Sequence, residues 1–303
     1  MDVGRFGVWT SALDRQPAAL VRGEVSRLEE LGFSALWVGE GYRREIFANA
    51  SLLLGASNSM VVASGIASIW ARDAQAMRAG QLTLDEAYAD RFLLGLGVSH
   101  VPLVNPRGHV YTRPYSAMRA YLAAMDAAQY DSPMPAGRPL RVLAALGPRM
   151  LELAAEKADG AHPYFVPVEH TEQARVALGR NKLLCPEQAV VLESDPDEAR
   201  ATARHHTGSY LRLPNYRRNL ERLGFKADDF EGGGSDRLVD SVVGWGDVNR
   251  VAGRVLEHLQ AGADHVAIHV ILRDPAQVPV TEWGNLAAAL GLAAGSGHAG
   301  SVA

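Results

Sequence analysis

The strongest constraint in this sequence is an alternation. Short runs that are apolar at nearly every position are each followed by a longer stretch with helical spacing. The apolar runs lie at residues 5–9, 35–39, 61–65, 92–97, 140–144, 160–164, 187–192 and 265–270. A strand without polar alternation is covered on both faces, the situation of a parallel sheet flanked by helices. Helical patterns fill the gaps; one has Val21, Val25 and Leu28 on one face and stops at Gly32. Eight such units in about 290 residues predict a closed (β/α)8 TIM barrel, with a doubly wound open sheet as the competing topology. Residues 1–291 read as a single barrel domain and 292–303, rich in Gly, Ser and Ala, as a disordered tail.

Two stretches break the alternation. Residues 97–113 form a long connection after the fourth strand. Residues 208–246 form a polar insertion between the seventh and eighth strands, with Gly232-Gly233-Gly234 and two short helical patterns. Insertions of this length in a compact domain are more often lids or binding loops than plain connectors.

Composition excludes several classes of function. With 48% hydrophobic and 21% charged residues, the 303-residue chain has the makings of a sizeable core. A formal charge of −4 offers no attraction for nucleic acid or an anionic membrane surface. Cys185 is the single cysteine, so no internal disulfide forms, and a cytoplasmic location is expected. The N-terminus lacks the pattern of a signal peptide, and no apolar run reaches the roughly 18 residues of a membrane span.

In a barrel, ligands collect where the strands end, and those residues carry the chemical expectations. They include Glu40, Gly65, Ile66, Ala67, Ser99, His100, Gly147, Pro148, Arg149, His162, Tyr164 and His269. The run from Val61 to Arg72 begins as a β-run, passes through Gly65 and stays small, which suits a buried strand with an end open to a flat ligand. It equally suits an ordinary strand followed by a loop. Gly147-Pro148-Arg149 opens a helix whose free N–H groups suit a phosphate, with Arg149 as a second contact or simply a surface arginine.

His100 is either a general acid or base or a hydrogen-bonding loop residue. Glu40 either holds a ligand or pairs with Arg43 or Arg44. Trp70 and Tyr164 are candidates for the substrate pocket, Trp70 as an aromatic wall. Gly95-Leu96-Gly97 is too short for a dinucleotide fingerprint, so its glycines more plainly admit a close approach of a strand end or ligand. No sequence spacing pairs metal ligands, and His205 and His206 read as solvated, so no metal is expected. A lysine Schiff-base lyase is disfavoured, because Lys157, Lys182 and Lys226 are the only lysines and none ends a strand.

Taken together, several motifs resemble one family. They are Gly-Phe-Ser-Ala-Leu-Trp-Val-Gly-Glu at 32–40, Ala-Ser-Gly-Ile-Ala at 63–67 and Asp-Arg-Phe-Leu-Leu-Gly-Leu-Gly-Val at 90–98. Arg-Pro-Tyr-Ser-Ala-Met-Arg-Ala-Tyr-Leu at 113–122 and Leu-Gly-Pro-Arg-Met-Leu-Glu-Leu-Ala-Ala-Glu-Lys-Ala-Asp-Gly at 146–160 complete the set. In order and spacing, this combination resembles the bacterial luciferase-like superfamily, nearest to its deazaflavin (coenzyme F420)-dependent oxidoreductases.

The resemblance implies a luciferase-like barrel with the ring across the strand ends, backed by a bulge with a non-proline cis bond at Gly65–Ile66. It implies the cofactor phosphate at Gly147, Pro148 and Arg149, contacts with Gly65, Ile66, Ala67 and Ser99, and an acidic group near the ring at Glu40. The implied reaction is hydride transfer between F420 and a small organic substrate, an alcohol or carbonyl or an activated alkene. His100 stands where several relatives of this group carry a proton-donating glutamate, a departure from their pattern. An FMN-dependent monooxygenase and a non-catalytic flavin- or deazaflavin-binding protein are the alternatives. A homodimer through helices beside strands two to four is also implied, although the run 48–54 suits barrel packing equally well.

Overall fold

The computed structural model describes residues 1–292. The tail expected at 292–303 therefore lies, apart from Leu292, outside the described residues. The first half of the chain runs β1 (Phe6–Trp9), α1 (Ala18–Glu30), β2 (Ala35–Val38), α2 (Ile46–Leu54), β3 (Val61–Ser64), β4 (Ala67–Ser68), α3 (Ala74–Ala87) and β5 (Phe92–Gly97). There follow α4 (Val101–Val104), α5 (Pro114–Ala127), β6 (Arg141–Leu143), α6 (Pro148–Lys157), β7 (Gly160–Ala161), α7 (Val168–Leu178) and β8 (Leu183–Leu184). The remainder comprises β9 (Glu187–Val191), α8 (Pro196–Tyr210), α9 (Pro214–Arg222), α10 (Asp236–Val242), β10 (Val243–Trp245), α11 (Val248–Gln260), β11 (Val266–Val270) and α12 (Val280–Ala289). Among the described residues, no helix is long and apolar enough to cross a membrane.

Every strand pairing is parallel, and the ring closes. It passes from β1 through β2, β3, β5, β6 and β7 to β8, and from β9 through β11 back to β1. Strands β8 and β9 are one barrel strand interrupted at Cys185-Pro186. The Cys185 N–H donates to the Ala161 carbonyl at 2.9 Å, and the Asp264 N–H donates to the Leu184 carbonyl at 2.9 Å, so both neighbours stay attached across the break. The run expected at 187–192 missed the β8 half because Pro186, which donates no hydrogen bond, reads as a strand boundary. Past the break β9 also takes β10 alongside it, a strand inside the insertion that the sequence pattern did not suggest.

The third barrel strand is interrupted too: β3 ends at Ser64, the Gly65–Ile66 bond is cis as expected, and β4 resumes the pairing with β5.

Side chains alternate along the strands between two cores. Val8, Leu36, Val38, Val62, Leu94 and Ile268 point outward onto the helices. Trp37, Val61, Ala63, Leu93, Val142 and Ala267 point inward and fill the barrel. Helix α1 lays Val21, Val25 and Leu28 on the outer face, each fully buried and contributing about 1.5–3 kcal/mol. Asp73 caps α3 by accepting from the Ala76 N–H at 2.8 Å.

The inward core is also polar in places. Trp37 stacks on His162 with centroids 4.2 Å apart, and its indole N–H donates to His265 Nε2 at 2.9 Å. His265 Nδ1 in turn faces the Gly4 carbonyl at 2.9 Å, which assigns the proton to Nδ1. Burial pushes His265 down to about 4, so the ring is neutral.

Candidate functional site

A cavity of about 560 Å³ opens at the C-terminal ends of the strands. Gly39, Gly65, Ile66, Gly97, Ala144 and Ala145 line it, so much of its surface is backbone and small side chains. Local sequence explains that flatness. A Cβ on Gly95 would sit 1.9 Å from the Ser64 carbonyl oxygen, and one on Gly97 would sit 2.4 Å from Ile66 Cδ1. Both glycines of β5 therefore admit the end of β3 and the bulge that follows it, the close approach anticipated from Gly95-Leu96-Gly97. Ser64 Oγ clamps the same crossing, donating to the Gly95 carbonyl at 2.9 Å and accepting from the Gly95 N–H at 2.8 Å.

Two buried nitrogens beside Gly65, on residues that line the cavity, have no hydrogen-bond partner among the described residues: Trp9 Nε1 and His162 Nε2. His162 Nδ1 lies 2.6 Å from the Cys185 carbonyl, which can only accept, so Nδ1 carries the proton. Burial lowers His162 to about 4, leaving it neutral with Nε2 as a bare acceptor. The floor thus offers one donor and one acceptor side by side, each costly to leave unpaired.

Of the expected residues, Gly65, Ile66, Ser99, His100, Glu40 and Tyr164 all line the cavity. Glu40 does so while its carboxylate is engaged elsewhere. It accepts from the Ser68 N–H at 2.7 Å and from Arg72 Nη1 at 3.1 Å, and forms a second, closer contact with Arg72 Nη2. Its partner is therefore Arg72 rather than Arg43 or Arg44, and it ties the end of β2 to the segment after the bulge. His100 is half-buried beside Tyr216, with ring centroids 5.5 Å apart, and the Asn215 side chain faces it. Desolvation lowers its pKa, partly offset by Asn215.

Trp70, Ala67, Gly147, Pro148 and Arg149 are not among the cavity-lining residues. Trp70 turns outward: its indole N–H donates to the Val98 carbonyl at 2.9 Å, and its ring packs against His109 and Tyr111 of the long connection. Ala67 is fully buried in β4. Gly147 caps α6, with Pro148 at its first turn, directly beyond the cavity residue Leu146. Arg149 lies over the Tyr115 ring at 4.2 Å, while a Cβ on Gly147 would meet Arg222 Nη2 at 3.3 Å. Two guidinium groups thus flank the N-terminus of α6, one of them from α9.

Sequence reasoning missed most of the far wall. Tyr210, Asn215 and Tyr216 reach the cavity from α8 and α9, inside the insertion expected to hold binding loops. The usable signal was three aromatic or amide side chains within an otherwise charged stretch. Asp14, Arg15 and Arg43 complete the rim.

Behind Tyr164 lies a buried cluster. Tyr164 Oη is 2.7 Å from Tyr210 Oη and 3.3 Å from His269 Nδ1, and His269 Nδ1 is 3.0 Å from Glu187 Oε1. Glu187 Oε2 accepts from the Phe165 N–H at 3.1 Å. His206 joins this group, its ring 5.2 Å from His269, instead of being solvated as expected; only His205 is exposed. One potential metal-ligand atom from each of Glu187, His206 and His269 lies within 4.8 Å of the others, a convergence that no sequence spacing foretold.

Comparison with known proteins identifies the family and the fold. A family model described as luciferase-like monooxygenase matches residues 3–265. A 5,10-methylenetetrahydromethanopterin reductase of Methanolobus tindarius is 25% identical over 167 residues, and the match spans half of this chain and half the length of that relative. Among solved structures, an F420-dependent secondary alcohol dehydrogenase in complex with an F420-acetone adduct superposes with a TM-score of 0.74 at 12% identity, covering 96% of this chain and 99% of that one. The coenzyme F420-dependent tetrahydromethanopterin reductase of Methanopyrus kandleri also gives 0.74, at 15% identity over 95% and 98% of the two chains.

Proposed function

Because this chain belongs to the luciferase-like monooxygenase family, we propose that it is an F420-dependent oxidoreductase that moves a hydride between the deazaflavin and a small organic substrate. The observation that carries this reading is the pair of unpartnered nitrogens on the cavity floor, the Trp9 N–H donor and the His162 Nε2 acceptor. The polar edge of a deazaflavin alternates C=O and N–H groups, and such an edge satisfies both. F420 held there would supply or take the hydride of the reaction.

The chain's own residues do the rest. Gly39, Gly65, Ile66 and Gly97 supply a flat surface for the ring. The N-terminus of α6, with Arg149 and Arg222 on either side, suits the phosphate of the cofactor tail. Glu40 acts by holding the Ser68–Arg72 segment behind the bulge. His100 stays neutral and hydrogen-bonds the substrate oxygen, with Asn215 fixing its ring. Tyr164, Tyr210 and Tyr216 wall off water on the opposite side.

The test is to titrate F420 and FMN separately against the purified protein. F420 binding tighter than FMN, with hydride exchange to a panel of alcohols, aldehydes and enones, is the expected result; tighter FMN binding would sink the assignment. Replacing His100 with Ala should lower turnover while leaving F420 affinity nearly intact. The reading includes a homodimer, although α2 spends Ile46, Ala50, Leu53 and Leu54 on its own barrel. Light scattering that gives the mass of one chain would remove the dimer.

A further inference from the structure

One side of the cavity mouth carries positive charge that the hydride chemistry above leaves unused. Arg15 and Arg43 line it, Arg15 from the short turn Leu13–Arg15 after β1 and Arg43 from the connection between β2 and α2. We propose that these two guanidinium groups bind an oxyanion on the substrate, a carboxylate or a phosphate ester. The substrate is then an anionic alcohol, carbonyl compound or activated alkene rather than a neutral one. This rests on the oxidoreductase reading and names the substrate class it serves.

The protein itself does not neutralise this pair. Arg72, behind the bulge, has Glu40 and Glu45 as partners, whereas Arg15 and Arg43 form no ion pair among the described residues. Asp14 is the one carboxylate among them that acts on Arg43, and it also acts on Arg44. Its Oδ1 is already engaged, accepting from Asn49 Nδ2 at 2.9 Å. A single carboxylate thus stands among three guanidinium groups. Burial, and after it the neighbouring Arg15 charge, pushes the Arg43 pKa down, so the two rim cations repel each other in the free protein. An oxyanion between them relieves that repulsion.

The open edge of Arg43 is preset. Its Nη1 donates to the Ser11 carbonyl at 3.0 Å, which leaves the edge formed by Nε and Nη2. Those two parallel donors match two oxygens of a carboxylate or phosphate. The connection that carries Arg43 is also tied to the one that carries His100. Tyr42 Oη donates to the Pro102 carbonyl at 2.9 Å, and Arg107 Nη2 donates to the Gly41 carbonyl at 3.1 Å. The group that grips the oxyanion and the group that meets the reacting oxygen are therefore held in one frame, and both line the cavity.

This oxyanion is not the phosphate of the cofactor. Helix α6 follows β6, and in strand order β6 stands four places from β1, halfway round the ring of eight. Arg15 after β1 and Arg43 after β2 thus face α6, with Arg149 and Arg222 beside it, from across the mouth. A cofactor tail that runs toward α6 leads away from them and leaves this side to the substrate.

Matched substrates on the F420-loaded protein provide the test: an oxo acid or enoate against its methyl ester, and a phosphorylated aldehyde against the free aldehyde. The two arms separate carboxylate from phosphate. The expected kcat/KM for at least one anion exceeds that of its neutral partner by about tenfold or more, chiefly through KM, and the ratio shrinks with added salt. Arg43→Gln should bring the ratio close to one, Arg43→Lys should keep part of it, and both should bind F420 as the wild type does. Neutral partners that react as well as the anions overturn the proposal, as does Arg43→Gln with the wild-type ratio. So does Arg43→Gln with weakened F420 binding, which would make the pair a contact of the cofactor tail. If F420 does not bind at all, the oxidoreductase reading fails, and calorimetric titration of the cofactor-free protein with propionate, ethyl phosphate and propionamide still decides the oxyanion site. Anion binding that is lost in the Arg15→Gln, Arg43→Gln double variant upholds the site; anions that bind no better than the amide remove it.

Discussion

Glu40 and Arg72 form an ion pair whose side chains are only 5% and 12% exposed, and Arg72 has Glu45 as a second partner at 2.8 Å. Removing one member of a buried pair strands the other charge, at a cost of about 3 kcal/mol or more. Glu40→Gln should therefore lower stability by about that amount in urea unfolding. Replacing both members together, Glu40→Gln with Arg72→Met, should recover much of the loss; a double variant as unstable as the two single effects added would show that the residues act independently. Sequence reasoning found Glu40 because it ends a strand, and for the same reason it found Gly65, Ile66, Ser99, His100 and Tyr164. It could not find the direction in which a side chain turns. Trp70 follows an open strand end yet points at the Val98 carbonyl, and His206 looked solvated beside His205 until β9 and β11 enclosed it.

At the scale of elements, the crossing of β3 and β5 sets the shape of the floor. Gly95→Ala drives a methyl group into the Ser64 carbonyl 1.9 Å away, a backbone atom that cannot rotate aside. The expected loss is about 3 kcal/mol, the upper part of the usual overpacking range. Gly23, on the exposed face of α1, has nothing within 4 Å of such a methyl group, so Gly23→Ala should raise stability by about 1 kcal/mol through helix propensity. Measured side by side in denaturant, the two variants must move in opposite directions; a neutral Gly95→Ala would mean that the crossing is looser than drawn. All eight barrel strands were legible from apolar spacing alone, but only one half each of the third and the seventh, because Gly65–Ile66 and Cys185-Pro186 break the pattern locally while the pairing continues on either side. The insertion was legible as a departure, but not as the source of Tyr210, Asn215 and Tyr216, since pattern reasoning carries no information on where a lid comes to rest.

For the molecule as a whole, the interior is unusually rich in neutral histidine, and this dictates its response to acid. Burial holds His162 and His265 near 4 and His206, His258 and His269 near 3, against 6.5 in the unfolded chain. His258 shows how neutrality is built in: Nδ1 faces Thr171 Oγ1 at 2.8 Å and Nε2 faces Gln188 Oε1 at 2.7 Å, so one nitrogen accepts while the other donates. A histidine whose folded pKa is depressed takes up its proton in the unfolded chain first. Its contribution to stability is whole above 6.5 and is lost as pH falls from there toward 3 or 4. Asp85 and Glu187, both raised to about 7 by burial, work the other way, since the folded protein binds their protons first as pH falls from 7 toward their unfolded values near 4. Five groups against two leave the unfolded state ahead by about three protons between pH 6 and 4.5, a slope of about 4 kcal/mol per pH unit. For a protein with roughly 5–15 kcal/mol of total stability, that slope brings unfolding within reach near pH 5. Urea midpoints measured at intervals through this range should fall steeply. A flat profile down to pH 4.5 would show that these imidazoles reach solvent, and would remove the neutral interior on which the cavity floor at His162 depends.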